Sequence, residues 1–277
     1  MEPRFSQDDA LETTDEASPA ILEMYPRASV LGVGVSAINI RQAVDAIDGW
    51  VQERRTVYVC VAAAHSIMDC RHDPGLRSVF NKAAIVTPDG MSLVWYLRLL
   101  GYRGVQRVYG PDLLTALCRR PAETGHRHFF YGGSDQVLAD LVTRLRGQNP
   151  GLQVAGGYAP PFRGMTTEQD RTVVELINRS RPDIVWVGIG TPKQEQWIAE
   201  HRSRLSAPVM IGVGAAFDFL SAHKPQAPRW LQRSGFEWLF RLASEPRRLW
   251  PRYREYPLFV VLVLAQSLGL KRFPIAE

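Results

Sequence analysis

Asp89 stands in Thr87-Pro88-Asp89-Gly90, directly after the apolar run "AAIV" and directly before the apolar pattern "MSLVWYLRLL". A carboxylate where a buried strand gives way to a helix has two readings. It caps the turn or helix start by accepting backbone N–H bonds, or it is a general base held in a partly dry crevice. A second dense turn, "GIGTPKQE", runs from Gly188 to Glu195. Lys193, Gln194 and Glu195 there place a cation, an amide and a carboxylate at one helix start, where anions are favoured. The plainer reading is a strand-loop-helix junction with a proline at the helix start. His65 closes the run "TVYVCVAAAH" and is either structural or a polar group presented at a strand end. "GVGVSA", residues 32–37, fits Gly-x-Gly-x-x-Ala, but the next strand ends Ala62-Ala63-Ala64-His65 without the acid that a dinucleotide ribose needs. No nicotinamide cofactor, nor any other, is expected. No Asp-x-Asp pair occurs to hold a diphosphate-bridging metal, so phosphate charge would fall to arginines through bidentate hydrogen bonds.

Such turns work only if a scaffold brings them to one edge. From Val30 onward apolar runs alternate with helical patterns: "TVYVCVAAA", "AAIV", "HRHFFYGG", "LQVAGGY", "DIVWVGIG" and "PVMIGVG" read as strands, with "SVLGVGV" as a short β-rich piece before them. Between them lie amphipathic stretches such as "IRQAVDAIDGWVQER" and "DQVLADLVTRLRG". Strand runs that are apolar throughout indicate a parallel sheet covered on both faces. The expected fold is therefore α/β, a doubly wound, mostly parallel, Rossmann-like sheet over residues 28–233, whose ligands gather at the carboxyl ends of the strands. Residues 1–27 are polar and acidic without periodicity and are expected to be disordered. Residues 234–277 form a separate Arg-rich, aromatic, helical appendage ending in an apolar run at 258–270, too short for the ~20 residues that span a bilayer. Basic residues beside Trp250, Tyr253, Tyr256 and Phe259 suit a membrane-surface segment; a last helix packed on the sheet is the equally open alternative.

The totals narrow the classes. A net charge of +5 over 277 residues is modest, but the start is acidic whereas residues 229–254 carry a run of arginines. A positive end on a near-neutral body points to an anionic partner: nucleotide, nucleic acid or anionic lipid. The 3 cysteines, Cys60, Cys70 and Cys118, have no Cys-x-x-Cys spacing, which argues against a disulfide framework or zinc site and fits a reducing cytoplasm. No basic-then-apolar leader is seen, so no secretory signal is expected.

The blocks "TPDGMSLV", "RVYGPDL", "FFYGG", "RPDIVWVGIGTPKQEQWI", "IGVGAAFDFLSAHKPQAPRW", "GFEWLFRLASEPRRL" and "RYREYPLF" resemble, in this order, the WecG/TagA/CpsF family of bacterial glycosyltransferases. The resemblance covers nearly everything from Val30 to Phe259. It implies inverting, metal-independent transfer of a sugar from a UDP-sugar to a polyprenyl-diphosphate-linked sugar, on the inner face of the bacterial cytoplasmic membrane, for a cell-surface polysaccharide. It implies a catalytic base at Asp89 and donor or acceptor contacts at Arg107 and Gln194, with Lys193 and Glu195 beside it. It also implies a tail that closes over the site, with Arg241 and Arg248 reaching the diphosphate. Three positions depart from the family pattern. Ala62 and Ala64 stand where a Thr-x-Asn pair is usual, so His65 could substitute for part of that role. Gln226-Ala227-Pro228 replaces Arg-Ala-Pro, and Pro251 stands where a third arginine is expected, with Arg252 beside it. The expected partners are a UDP-sugar, a lipid-linked acceptor and an anionic membrane surface, not nucleic acid, with assembly of copies left open. The competing readings are a catalytically degenerate family member and a non-enzymatic nucleotide or nucleic-acid binder.

Overall fold

The computed structural model describes residues 24–120 and 125–275. Most of the expected acidic segment thus lies outside the described residues. The first element is a hairpin, β1 (Arg27–Val30) and β2 (Val33–Ser36), paired antiparallel. Its turn is Leu31-Gly32, both at positive φ (52 and 93), as the twist of a two-residue hairpin turn demands. The stretch "SVLGVGV" is therefore two strands rather than one. Gly32 serves the turn and the Gly34 carbonyl accepts from Arg27 Nε at 2.9 Å, so this glycine run does not form a strand-to-helix phosphate loop.

Six further strands form one parallel sheet: β3 (Val57–Ala62), β4 (Ile85–Pro88), β5 (Arg127–Gly132), β6 (Gln153–Tyr158), β7 (Ile184–Gly188) and β8 (Val209–Gly212), in the order β4-β3-β8-β7-β5-β6. Successive strand residues alternate between two buried layers, as a period of two requires. Tyr58, Cys60, Val185, Val187 and Met210 enter one layer; Val57, Val59, Ile184, Trp186, Val209 and Ile211 enter the other. The first layer is covered by α2 (Ala64–His72), α3 (Pro74–Lys82), α4 (Met91–Leu99), α7 (Thr167–Ser180) and α8 (Lys193–His201). The second is covered by α1 (Ile40–Gln52), α5 (Gly110–Cys118), α6 (Asp135–Gln148) and α9 (Ala216–Leu220). The local signals explain several starts. Asn39 with Gln42, and Thr166 with Gln169, form capping boxes for α1 and α7, while Ser134 caps α6 and Asp73 caps α3.

Four helices follow: α10 (Arg229–Arg233), α11 (Glu237–Ser244), α12 (Pro246–Tyr253) and α13 (Tyr256–Ser267). The end of the chain packs on the core. Phe259 is 2% exposed and shares a layer with the sheet, and Gln266 bonds both the Leu31 N–H and the Ser29 carbonyl of the hairpin at 3.0 and 2.9 Å. Yet Leu258, Val260, Val261 and Leu264 on α13 are exposed. The helix has 12 residues, about 18 Å at ~1.5 Å per residue against a ~30 Å hydrocarbon core. Among the described residues no helix is long and apolar enough to cross a membrane.

Candidate active site

The turn after β4 is pinned from both sides. The Asp89 N–H donates to the Ala62 carbonyl at the end of β3 (2.8 Å), and Val108 N–H donates to the Pro88 carbonyl (3.0 Å). Gly90, not Asp89, is the N-cap of α4, and no side chain caps that helix. The Asp89 carboxyl instead takes one backbone hydrogen bond, from Gly110 at the start of α5. Its Oδ1 has no hydrogen-bond partner. Burial pushes this carboxyl up to about 6; Arg107 opposes the rise, Glu237 adds to it and Arg241 opposes it. A group poised there exchanges protons near neutral pH, as a general base requires.

Arg107 is the organising cation. Its Nε donates to the Asp89 carbonyl. Its Nη2 lies 2.5 Å from Glu237 Oε2 and 3.7 Å from Asp89 Oδ1. The guanidinium sits 4.0 Å over the Tyr109 ring, and the Tyr109 hydroxyl donates to Glu237 Oε1 at 3.2 Å. Burial works against the charge on Arg107, but Asp89 and Glu237 outweigh it and its pKa is raised.

Asp89, Arg107 and Glu237 border a cavity of about 470 Å³ at the carboxyl edge of β3 and β4, with Ala63 and His65 on one side and Met91, Ser92 and Trp95 on the other. The tail roofs it with Glu237, Arg241, Trp250, Tyr253, Arg254 and Tyr256. Gly235, at φ +75, lets the chain pass against the Trp95 indole where a Cβ would have no room. His65 meets the Tyr253 ring edge-on at 6.4 Å. Burial, then Arg252 and Arg241, hold its pKa well below the usual range, so it is a neutral imidazole here. The arrangement offers one partly desolvated carboxylate, several guanidinium groups and an apolar, aromatic mouth: a site for an anionic ligand with a hydroxyl to deprotonate.

The second turn is built differently. Gln194 Oε1 accepts from the N–H groups of Gly190 and Gly214 at 3.3 and 2.8 Å, tying the loop after β7 to the loop after β8. Glu195 accepts from Thr191 Oγ1 and Gln194 Nε2 at 3.1 and 2.8 Å and is fully buried. Burial raises its pKa to about 7, against the Gln194 and Thr191 hydrogen bonds.

The Glycosyl transferase WecG/TagA/CpsF family model matches residues 28–273. The chain belongs to this family of glycosyltransferases. It is 30% identical over 215 residues, 78% of this chain and 81% of the relative, to an N-acetylglucosaminyldiphosphoundecaprenol N-acetyl-beta-D-mannosaminyltransferase of Bacillus spizizenii. To a Bacillus subtilis enzyme of the same name it is 32% identical over 199 residues, 70% of this chain and 74% of the relative.

In this glycosyltransferase the fold brings Asp89, Arg107, His65 and Arg241 to one cavity. Arg252 stands behind it, donating to the Thr191 carbonyl at 2.9 Å, and so joins the tail to the "GTPKQE" loop. Arg248 is half-exposed and paired with Glu245 at 2.6 Å. Lys193 is exposed, and neither it nor Gln194, Glu195 or Arg248 borders the cavity. Glu237, Tyr109 and Arg254 were missed as site residues. They lie inside the blocks "GFEWLFRL", "RVYGPDL" and "RYREYPLF", but nothing in one dimension says that these segments meet. Among the described residues no group of three His, Cys, Asp or Glu side chains could hold a metal ion.

Proposed function

We propose that this glycosyltransferase moves an N-acetylmannosaminyl group from a UDP-linked donor to a polyprenyl-diphosphate-linked N-acetylglucosamine, with inversion and without a metal ion, while seated on an anionic membrane surface. The sugar and acceptor are those in the names of the two relatives. The observation that carries the mechanism is the Asp89 carboxyl in the cavity wall, raised to about 6, with guanidinium groups beside it. The acceptor hydroxyl gives its proton to Asp89 as it attacks the anomeric carbon, and the bond to the diphosphate breaks on the opposite face. A positioned base is worth ~10²–10⁴-fold. Arg107, Arg241 and Arg254 take the charge that develops on the departing diphosphate.

Exposed apolar side chains at the cavity mouth and along the tail, Trp95, Phe236, Trp250, Val260, Val261 and Leu264, support the surface placement. Large rims of this kind beside arginines suit the headgroup boundary and set the cavity where a lipid-borne acceptor arrives.

The test incubates the full chain with UDP-N-acetylmannosamine and other UDP-sugars, with and without a short-chain polyprenyl-diphosphate N-acetylglucosamine, in chelator. UDP release that requires acceptor, with a β-linked product, supports the proposal. No release with any donor would leave a degenerate member.

A further inference from the structure

Among the described residues, Glu237 is the one acidic side chain that the tail places on the cavity wall. It lies on α11, 130 residues from Arg107 and 128 from Tyr109 in sequence, and both of its oxygens are taken by core groups. One is held by Arg107 at 2.5 Å, the other by the Tyr109 hydroxyl at 3.2 Å; Gln226 Nε2 steadies that hydroxyl at 3.3 Å. The side chains of Glu237 and Arg107 are only 12% and 15% exposed, so the pair is weakly screened. One turn further along α11, Arg241 borders the same cavity.

We propose that Glu237 is a positioning residue for the transfer. From the tail it draws the Arg107 guanidinium off the Asp89 carboxylate, leaving that carboxylate free for the acceptor hydroxyl, and it fastens α11 so that Arg241 stands over the diphosphate. The distances express the competition: Nη2 is 2.5 Å from Glu237 and 3.7 Å from Asp89. Without Glu237, Arg107 would close on Asp89 and turn a base into a spent ion pair. The inference rests on Asp89 acting as the base.

The charged and titratable groups that act on Asp89 come from every side. Arg107 and Tyr109 lie on the segment before and at the start of α5, Arg241 on α11 with Glu237, Tyr253 on α12 and Tyr256 on α13. His65, neutral, and Arg254 complete the wall. Glu237 is the anion among them, so its removal lowers the Asp89 pKa.

The experiment uses the full chain as Glu237→Gln and Glu237→Asp. Turnover is measured across roughly pH 5–8, and amide hydrogen exchange of residues 237–244 without substrate. For Glu237→Gln, kcat should fall about tenfold or more, within the ~10²-fold that misplacing a reacting group costs. The acid limb of the pH profile should move at least ~0.5 unit lower, and exchange in α11 should quicken. Glu237→Asp should restore part of both. An unmoved acid limb with unchanged exchange overturns the proposal, as does a fall in kcat that only tracks lost folded protein. The two assignments fail separately. If Asp89→Asn keeps its turnover, the base reading is lost, and α11 exchange in Glu237→Gln alone then decides whether the clamp exists.

Discussion

The carboxyl edge of the sheet carries two carboxyl groups, one part-buried and one fully buried, that are held in different ways. Asp89 after β4 and Glu195 after β7 are both lifted toward neutrality by burial, to about 6 and about 7. Glu195 is locked by Thr191 and Gln194 in a loop whose amides are held by the same glutamine. Asp89 borders a cavity, with the Arg107 guanidinium 3.7 Å away, an ion pair beyond hydrogen-bond distance. A raised carboxyl at a strand end is therefore not by itself a mark of catalysis. What separates the two in the structure is a cavity beside Asp89 with guanidinium groups on its wall, the setting in which a raised carboxyl becomes a site candidate.

The sharpest way to break that contrast is Asp89→Asn. Turnover should drop by at least ~10²-fold, while the melting temperature near neutral pH holds or rises, because a part-buried carboxyl whose ionised form is disfavoured by desolvation is removed. A large fall in melting temperature with turnover kept would return Asp89 to a cap. In the unaltered enzyme, kcat/KM should climb with pH through about 6 as Asp89 ionises.

Next in size is the tail. Arg241→Gln should cost about 10- to 10²-fold in kcat/KM, on the scale of removing a preorganised charge donor. Arg248→Ala should cost less than ~3-fold, because a half-exposed arginine paired with Glu245 contributes little. Equal losses would mean that the tail rearranges before reaction and that Arg248 joins the site.

The smallest effect on turnover belongs to Glu195→Gln, within ~3-fold, with its signature in stability instead. Glu195 is raised from 4.5 to about 7, so the folded state binds the extra proton. Stability should fall as pH rises across that window and flatten in the variant, as read by denaturant midpoints at several pH values. A steep loss of turnover with unchanged pH dependence of stability would make Glu195, not Asp89, the reactive carboxyl.

Much of this was legible in one dimension. Apolar runs of strand length, alternating with helical periodicity, sufficed for a covered parallel sheet, since strands buried on both faces are apolar throughout; the edge strand β6 is part-exposed along its length. The turns at strand ends were visible as breaks in that pattern; Asp89 and His65 stand out there and Arg107 through the family resemblance, and the fold brings the three to one cavity. The "GVGVSA" run lacks the ribose-binding acid of a dinucleotide loop, and it lies in a hairpin whose turn has two positive φ angles that composition alone does not announce.

What one dimension hid was which side of a turn faces space. Lys193, Gln194 and Glu195 look as chemical as Asp89 when written as letters; whether an amide closes a loop or meets a ligand depends on what lies across from it. Glu237 and Arg254 line the cavity, and Tyr109 meets Glu237, only because the last helices fold back over β3 and β4. Local propensity and periodicity are short-range and survive in the chain as text. Convergence of side chains more than a hundred positions apart is set by packing, and only the folded molecule decides it.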